Sequence, residues 1–293
     1  MEWLFLTGGI LLGGITVWAV MGHRRRTMRN ELLIARRDAH QRADQVSVVS
    51  HEIRTPLAAV KAASRVLSEE TAGSLSDTQK RFVGIIVHQS DLAISIAEDL
   101  LLQARLESGL VKVEPIPVEV GRIVRETVNA MRPLVQERQQ RLVCSIPRLD
   151  PQAYVDERLV RQALTNMLSN AIKHTSSGEE IVVTLRSDDE YLVLSVTDGG
   201  AGMTPEERAK LFSRFFSSGH DEEEAGSSSI SGFGASVGLG MTITRQIAEL
   251  HGGKLLVDTA QKRGTTVMMT IPRQTISQSR SRWESATGFF RRK

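Results

Sequence analysis

The most reactive arrangement in the sequence is a short stretch around one histidine, Ser50-His51-Glu52-Ile53-Arg54-Thr55-Pro56-Leu57. A neutral imidazole is a competent nucleophile near neutral pH because its reference pKa is about 6.5. Attack through one ring nitrogen requires a proton to leave the other, and the adjacent Glu52 carboxylate could accept that proton. Thr55 lies one helical turn past His51, where its hydroxyl could hold a water molecule. The stretch could therefore carry a group-transfer reaction on His51.

An amphipathic helix must position this stretch. Small or apolar residues recur at alternating steps of three and four, which predicts a heptad seam on a packed helix. The seam consists of Met28, Leu32, Ala35, Ala39, Val46, Val49, Ile53, Val60, Ala63 and Leu67, with Arg42 and Pro56 as its two members that are not aliphatic side chains of this kind. His51 falls two residues past Val49, so we expect its imidazole to lie off the seam and face solvent. A solvated histidine without a function would show the same pattern, so the spacing alone leaves both interpretations open.

A second helix is predicted over 77–107, because Ser76-Asp77 supplies a helix start and Gly109 a stop. We expect the first helix to end near 68–73. The second helix is too apolar to stand alone. The apolar faces of the two antiparallel helices are larger than a single hairpin can bury. This predicts a dimeric four-helix bundle over 46–109.

The pattern changes after residue 112. Strand-like runs lie at 141–146, 181–186, 191–197, 254–258 and 265–271, and helical runs at 119–139, 156–173 and 241–251. Strands with helices on one side predict an α+β sandwich over 112–273.

One helical motif in this region carries two amides and a lysine. Asn166 and Asn170 are four residues apart and share a helix face. Their oxygens suit Mg²⁺, which prefers oxygen ligands and keeps several waters. Lys173 adds a positive charge suited to a phosphate. An ordinary polar helix face would have the same composition.

Two glycine-rich motifs follow. Asp198-Gly199-Gly200-Ala201-Gly202 comes after a strand, so its carboxylate could accept from an adenine amino group while the loop backbone closes in. Val237-Gly238-Leu239-Gly240-Met241 opens a helix, whose bare amides form an anion site. Between them, Leu211-Phe212-Ser213-Arg214-Phe215-Phe216 is a hydrophobic anchor for the segment 217–235. That segment is rich in Ser, Gly and acid, and could be a disordered insertion, a lid over a nucleotide, or both.

The N-terminus is predicted to span a membrane. Residues 3–21 are apolar and uncharged, and about 20 such residues cross a bilayer as a helix. The basic flank His23-Arg24-Arg25-Arg26 places the C-terminal side in the cytoplasm by the positive-inside rule. A cleaved signal peptide is disfavoured because the charges follow the apolar run. We therefore expect a transmembrane helix at 1–22, through which a membrane partner protein could supply a stimulus.

Two charged segments flank the predicted domains. Residues 23–45 are interpreted as a signalling helix or linker, with a passive tether as the alternative. Residues 274–293 form a basic tail that we expect to be disordered. The net charge of +3 is too small to suggest nucleic acid as a partner, and the single Cys144 excludes an intramolecular disulfide framework.

The stretch from Ser50 to Leu57 resembles the phosphoacceptor box of bacterial sensor histidine kinases at every position. This resemblance implies that His51 takes the γ-phosphate of ATP and that Glu52 acts as base. It implies that Thr55 supports removal of phosphate from the response regulator. It also implies that 46–109 is the dimerisation and phosphotransfer domain of a homodimer.

The later motifs together resemble the ATP-binding domain of histidine kinases, the Bergerat-type fold shared with gyrase, mismatch-repair ATPases and heat-shock chaperones. Together with the His51 box, the resemblance covers roughly residues 25 to 273. It implies that 112–273 is the catalytic domain and binds ATP with Mg²⁺, with Asn170 as the metal ligand. The positions implied to bind the nucleotide are Asn166, Asn170, Lys173, His174, Asp198, Gly200, Gly202, Gly238, Leu239, Gly240 and Thr265.

The sequence departs from the family pattern at several positions. Gly199 stands where Asn is usual, Ser217 where an arginine often follows the aromatic anchor, and Ser236 where the lid-end box begins with glycine. His174 occupies a position commonly held by Tyr or Phe, beside adenine. Ser217 and Ser236 could weaken nucleotide affinity or slow the transfer.

The resemblance implies a membrane-anchored sensor histidine kinase, single-pass in the bacterial inner membrane, with its catalytic part in the cytoplasm. It would autophosphorylate on His51 with Mg-ATP, pass the phosphoryl group to an aspartate of a cognate response regulator, and also act as its phosphatase. The alternative is a catalytically weakened, phosphatase-dominant scaffold. An ATPase resembling chaperones or anti-sigma serine kinases is disfavoured because neither carries the His51 box.

Overall fold

The computed structural model describes residues 46–50, 52–69, 73–213 and 238–273. Three predicted segments therefore lie outside the described residues: the N-terminal 1–45, the segment 217–235 and the tail 274–293. His51 also lies outside them, so the predicted exposure of its imidazole stays a prediction.

Two helices form the N-terminal part. Helix α1 comprises 46–50 and 52–68, and helix α2 is Asp77–Glu107. Helix α2 begins with a capping box, in which Ser76 Oγ accepts from the N–H of Gln79 and the Gln79 side chain accepts from the N–H of Ser76. The predicted bounds of this helix are confirmed, because its start and stop signals are local.

Polar contacts join α1 and α2 as an antiparallel pair. From one end to the other they are Arg105 to Ser47 Oγ (3.3 Å), Ser50 Oγ to the carbonyl of Ala97 (3.0 Å), Arg54 to Glu98 (3.0 Å), and Lys61 to Asp91. Positions on α2 therefore fall as positions on α1 rise. This confirms the predicted antiparallel hairpin.

The predicted seam on α1 does not face α2. Val49, Ile53, Val60 and Leu67 are 55%, 42%, 44% and 41% exposed in the single chain. On α2, Phe82 is also exposed. The hairpin therefore leaves apolar surface that its own two helices do not cover.

Seven strands in two sheets form the framework of the second part. The strands are β1 Ile116–Glu119, β2 Arg141–Ser145, β3 Gln152–Val155, β4 Glu180–Ser187, β5 Tyr191–Asp198, β6 Leu255–Thr259 and β7 Thr265–Pro272. The large sheet has the order β2-β4-β5-β7-β6. Strands β2 and β4 are parallel, and the other pairs are antiparallel. The five strands predicted from periodicity are all present.

Helices pack on this sheet. They are α3 Val120–Glu137, α4 Glu157–His174, the short α5 Pro205–Lys210, and α6 Gly240–Leu250. Helix α3 contacts β2, α4 contacts the central strand β5, and α6 contacts β6 and β7. One apolar core lies between these layers, with Ile123, Leu164, Leu194 and Ile243 all fully buried. The predicted α+β architecture of helices over a mixed sheet is confirmed.

The sequence analysis misses strands β1 and β3. They pair antiparallel in a two-stranded sheet, with Ile116 opposite Val155 and Glu119 opposite Gln152. Each is four residues long, and β1 contains Pro117. Four residues are too few to display an alternating pattern, and proline argues against a central strand.

The structure contradicts the predicted single-pass location in the bacterial inner membrane. Across the part of the chain that the structure describes, no helix is both long enough and apolar enough to cross a bilayer. Residues 3–21, on which that prediction rested, lie outside this part.

A buried histidine joins the ends of α6 and α4. His251 is 6% exposed, and its Nε2 accepts from the backbone N–H of Asp156 (3.1 Å). Because Nε2 accepts, Nδ1 carries the proton and donates to the carbonyl of Ile247 (2.8 Å). Asp156 in turn caps α4, since its Oδ1 accepts from the N–H of Leu159. The imidazole therefore fixes the start of α4 against the end of α6.

We predict that this link weakens in acid. Burial lowers the pKa of His251, because the buried imidazole is disfavoured in its charged form. Its contribution to the free energy of unfolding is complete above the pKa of an unfolded histidine, about 6.5, and is lost as pH falls through the lower folded value. Thermal unfolding of the wild type and of His251→Gln between pH 5 and 8 should show a difference in Tm that narrows below about pH 6.5. A difference that stays constant with pH would contradict this role.

Candidate functional site

Helix α4 carries the predicted amide pair. Its N-cap is Asp156, and one face packs into the core through Leu159, Ala163, Met167 and Ile172 among others. Asn166, Asn170 and Lys173 lie between these positions and are half-buried. The burial of the apolar face therefore leaves the amides at the edge of the core.

Asp198 is the last residue of β5 and lies opposite Thr265, the first residue of β7. Its Oδ1 accepts from the backbone N–H of Gly200 (3.0 Å) and from that of Thr265 (3.2 Å). The residue is 8% exposed. Burial raises the pKa of the Asp198 carboxyl to about 6, with the nearby Glu179 adding to the rise and the two hydrogen bonds opposing it. A carboxyl group thus stands at the end of the central strand, nearly out of contact with water.

Glycines around Asp198 allow very close backbone contacts. A Cβ on Gly200 would lie 2.0 Å from the carbonyl oxygen of His174, and one on Gly264 would lie 1.9 Å from that of Asp198. Gly264 also has φ +77°, a conformation that side chains disfavour. These contacts hold the loop after β5 against the C-terminal end of α4 and against the start of β7.

The other end of the site lies two turns back along α4. Asn166 Nδ2 donates to the carbonyl of Gly240 (3.2 Å), and a Cβ on Gly240 would lie 3.5 Å from the Asn166 side chain. Gly238 has φ +68°, and Leu239 is buried. The glycine-rich start of α6 is therefore held beside Asn166.

The two ends define an elongated site along α4. His174 and Asn166 are eight residues apart, which corresponds to about 12 Å along a helix. One end has a buried carboxyl and a glycine loop, and the other has amides and the N-terminus of α6. This arrangement suits a ligand with a hydrogen-bonding head and an anionic tail.

Most of the predicted binding residues come together in this way. Asp198, Gly200 and Thr265 meet directly, and Asn166 meets Gly240. Gly202 belongs to the same loop, where a Cβ would lie 2.0 Å from the carbonyl oxygen of Ala260. The side chain of His174 is exposed, and its carbonyl, not its ring, makes the contact with Gly200.

The phosphoacceptor stretch is described except at its histidine. Ser50 is 3% exposed, since its Oγ bonds the carbonyl of Ala97 on α2. Glu52 and Thr55 are exposed. The predicted roles of these two residues beside His51 stay predictions.

The aromatic anchor is confirmed for its described part. Leu211 is 8% exposed, and Phe212 packs against the core. The carbonyl of Phe212 accepts from Thr242 Oγ1 (3.3 Å), and its ring lies 4.9 Å from the guanidinium of Arg245. The chain before the segment 217–235 is thus attached to α6.

The sequence analysis misses two residues of this site. Gln162 lies one turn before Asn166, and its Nε2 is 3.3 Å from Asn166 Oδ1. Its spacing of four from Asn166 is a signal that the sequence contained. Thr259 on β6 accepts from the N–H of Met203 (3.0 Å) and bonds the carbonyl of Gly264. It supports the glycine loop, and no local pattern marks it.

The donor set limits how a cation could be held. Within the described ranges, no group of three or more His, Cys, Asp or Glu side chains could form a metal site. The amide oxygens of α4 could contribute one or two ligands. Such a set fits Mg²⁺, which is commonly bound by few protein ligands together with phosphates and waters.

Two protein-family models match the chain. The family described as His Kinase A (phospho-acceptor) domain matches residues 41–109, and the family described as Histidine kinase-, DNA gyrase B-, and HSP90-like ATPase matches residues 155–275. The first match contains the α1–α2 hairpin, and the second contains α4, the glycine loop and β7.

A curated relative aligns over most of the chain. The circadian input-output histidine kinase CikA of Synechococcus elongatus is 26% identical over 256 residues, which is 86% of this chain and 33% of CikA. The chain thus spans about a third of the length of that relative.

Two solved structures are also similar. Full-length ShkA in complex with AMPPNP has a TM-score of 0.63 and 26% identity, covering 79% of this chain and 46% of ShkA. The histidine kinase ThkA in complex with the response regulator protein TrrA has a TM-score of 0.54 and 21% identity, covering 82% of this chain and 64% of ThkA. The similarity to ThkA supports a shared fold.

We predict that Gly200 and its neighbour Gly199 respond differently to the same substitution. Gly200→Ala would drive a Cβ into the carbonyl of His174, whereas a Cβ on Gly199 would meet its nearest atoms, those of Glu179, at 3.8 Å. Gly200→Ala should therefore reduce the free energy of unfolding by about 1–3 kcal/mol, as overpacking does. Gly199→Ala should change it by less than about 0.5 kcal/mol. Urea unfolding monitored by circular dichroism would measure both, and equal effects would contradict the close packing at Gly200.

Proposed function

Since the chain belongs to the two-component sensor histidine kinases, we propose that it is a protein-histidine kinase that autophosphorylates on His51 with Mg-ATP. The observation that carries this proposal is the buried Asp198 carboxyl at the end of the elongated site on α4. A carboxylate in that position can accept a hydrogen bond from the amino group of adenine. The glycine loop beside it would present backbone atoms, and no side chains, to a flat base.

The phosphates would lie at the opposite end of the site. There the backbone N–H groups at the start of α6, from Gly238 to Gly240, form an anion site. Lys173 would add a positive charge near the phosphates. Mg²⁺, held by Asn170 and the phosphates, would supply charge neutralisation to the triphosphate. Asn166 would keep the start of α6 in place through its bond to the carbonyl of Gly240.

The reaction would occur on the imidazole of His51. One ring nitrogen forms a bond to the γ-phosphorus, and the bond from that phosphorus to the β,γ-bridging oxygen breaks, so ADP leaves. The proton on the other ring nitrogen would pass to Glu52, which is exposed on α1. His51 does not need to bind a metal ion in this step.

We propose an aspartate of a response regulator as the acceptor of the phosphoryl group. The complex of ThkA with the response regulator protein TrrA supports this class of partner. Thr55 is exposed on the same helix, where its hydroxyl could orient a water molecule for the reverse, phosphatase reaction. The domains would be 46–109 for dimerisation and phosphotransfer and 112–273 for catalysis.

A homodimer would bury the exposed apolar residues of the hairpin. Val49, Ile53 and Val60 on α1 and Phe82 on α2 face away from the contacts that join the two helices. Packing two hairpins together would remove this surface from water and form a four-helix bundle.

The alternative is a phosphatase-dominant scaffold with weakened catalysis. It is based on Gly199, Ser217 and Ser236. At Gly199 a Cβ would meet no atom closer than 3.8 Å, so the fold does not by itself require a glycine there. Absence of detectable Mg-ATP binding would favour the scaffold.

We predict that label from [γ-³²P]ATP is attached to His51. The purified chain should acquire label that is labile in acid and stable in alkali, because a phosphorus–nitrogen bond on imidazole has this behaviour. His51→Gln should remove the label, and His88→Gln, on α2 of the same hairpin, should retain it. Label that survives His51→Gln, or that proves to be on serine, would refute the assignment.

We also predict that nucleotide affinity falls in acid. The pKa of Asp198 is raised to about 6, so the carboxylate that accepts from adenine is lost as pH falls through this value. The Kd for a non-hydrolysable Mg-ATP analogue should rise by up to about tenfold per pH unit below 6. Asp198→Asn should weaken binding at all pH values and abolish this dependence, whereas Asp188→Asn, at an exposed turn, should bind as the wild type. Calorimetric titration from pH 5 to 8 would measure this, and a wild-type Kd independent of pH would contradict it.

A further inference from the structure

Asp99 on α2 is a half-buried carboxyl group that the proposed reaction does not use. Burial raises its pKa to about 6, and the charge of the neighbouring Glu98 adds to the rise. A carboxylate removed from water costs free energy unless a hydrogen-bond donor compensates it. The residue that donates a hydrogen bond to Asp99 therefore indicates the role of this carboxyl group.

That donor comes from the other domain. Gln162 on α4 donates from Nε2 to Asp99 Oδ1 over 3.3 Å, although the two residues are 63 positions apart. Helix α2 also contacts α6. The nucleotide-binding domain thus lies against the second helix of the hairpin, with a polar contact between α2 and α4.

The same amide reaches the proposed ATP site. Gln162 Nε2 is 3.3 Å from Asn166 Oδ1, and a primary amide has two N–H groups, so it can donate to both acceptors. Asn166 then donates from Nδ2 to the carbonyl of Gly240. A continuous series of hydrogen bonds therefore runs from Asp99 through Gln162 and Asn166 to the start of α6.

The contact lies level with the phosphoacceptor stretch. Ser50 bonds the carbonyl of Ala97, and Arg54 pairs with Glu98, the residue before Asp99. Successive residues of a helix point about 100° apart. Glu98 can therefore face α1 while Asp99 faces α4 at the same height along the hairpin.

The contact also involves the phosphate end of the proposed site. Gln162 is one turn from Asn166, whereas Asp198 and Gly200 lie near His174, about 12 Å further along α4. The end of the site that would hold the triphosphate is therefore the end nearer the hairpin. Docking in this geometry favours transfer to the phosphoacceptor stretch.

We propose that Gln162 is a positioning residue that, with Asp99, docks the phosphate end of the nucleotide site against α2 at the level of the phosphoacceptor stretch. This role rests on the proposed function, because it concerns the rate of autophosphorylation. The pair acts on the relative position of the two domains, and ATP binding within one domain does not require it.

The kinetic test compares variants of the full chain. Gln162→Ala and Asp99→Leu should each lower the kcat of autophosphorylation by about tenfold, the effect of losing one hydrogen bond to a charged group. For Asp99→Leu, which leaves Gln162 and Asn166 in place, the Kd for the Mg-ATP analogue should change by less than about twofold. The double variant should be no slower than either single variant, because both remove the same interaction.

Two further variants separate positioning from structural damage. Asp99→Asn keeps an oxygen that can accept from Gln162, so it should retain most of the wild-type rate. Asp91→Leu makes the same change as Asp99→Leu on the same helix, but its carboxylate pairs with Lys61 inside the hairpin. It should leave the rate unchanged. A rate for Gln162→Ala or Asp99→Leu equal to or above the wild-type rate would overturn the proposal.

A cross-linking test reports the contact without catalysis. Cys144 is the only native cysteine, so Cys144→Ser gives a cysteine-free background. In that background, a short bis-maleimide cross-linker should join Asp99→Cys to Gln162→Cys within one chain, because side chains that share a hydrogen bond lie within its reach. The product would be seen as a monomer of altered mobility in a denaturing gel. Asp91→Cys and Gln162→Cys should not be joined.

The outcomes distinguish this proposal from the proposed function. The cross-link together with a full rate for Gln162→Ala would overturn the positioning role and leave the kinase assignment intact. Absence of label on His51 in the wild type would overturn the kinase assignment and this role with it, although the cross-link would still form. Absence of the cross-link would overturn the docking contact itself.

Discussion

The candidate site depends on one interaction. A single carboxyl oxygen of Asp198 accepts hydrogen bonds from two backbone N–H groups. One N–H belongs to Gly200 in the loop after β5, and the other to Thr265 at the start of β7. Because both donors are backbone groups, the carboxyl joins the loop and the two strands without needing a second side chain as a partner. The close approach of Gly200 to the carbonyl of His174 then attaches α4 to the same point. The sheet and the long helix are thereby held in one fixed relation.

Helix α4 sets the distance between the two ends of the site. Its apolar face is fully buried against the sheet, so it cannot rotate without exposing the core. Its N-terminus is fixed through Asp156 to His251, and its C-terminus by Gly200. Asn166 and the start of α6 are consequently held at a constant distance from Asp198. A rigid helix of this kind can match the length of one extended ligand.

The hairpin is built on a different principle. Its two helices are joined by polar contacts such as Ser50 to Ala97 and Arg54 to Glu98, while much of its apolar surface is exposed in the single chain. Exposed ion pairs contribute little stability, so the hairpin needs further partners for its apolar residues. Its contact with α4 is also polar, through Asp99 and Gln162. Leu102 and Leu106 on α2 also pack against the core of the second domain, so apolar as well as polar contacts join the two domains.

Local signals in the sequence determined the elements and the chemistry. The capping residue Ser76 and the stop at Gly109 define α2, alternation defines the five long strands, and the spacing of Asn166 and Asn170 places both on one helix face. Asp198 and its glycines are visible in the sequence as a carboxylate at a strand end followed by a glycine-rich turn. Each of these features depends on residues that are close in the chain.

Tertiary structure alone decided which of these elements meet. Strands β1 and β3 are too short to show a period and exist because they pair with each other. The contact of Thr265 with Asp198 and that of Gln162 with Asp99 each join residues more than 60 positions apart. The linear sequence has no periodicity that records such a contact, because it arises only when the sheet closes and the domain packs on the hairpin. The candidate reactive residues could therefore be identified from the sequence, whereas their arrangement into one site was set by the packing of the core.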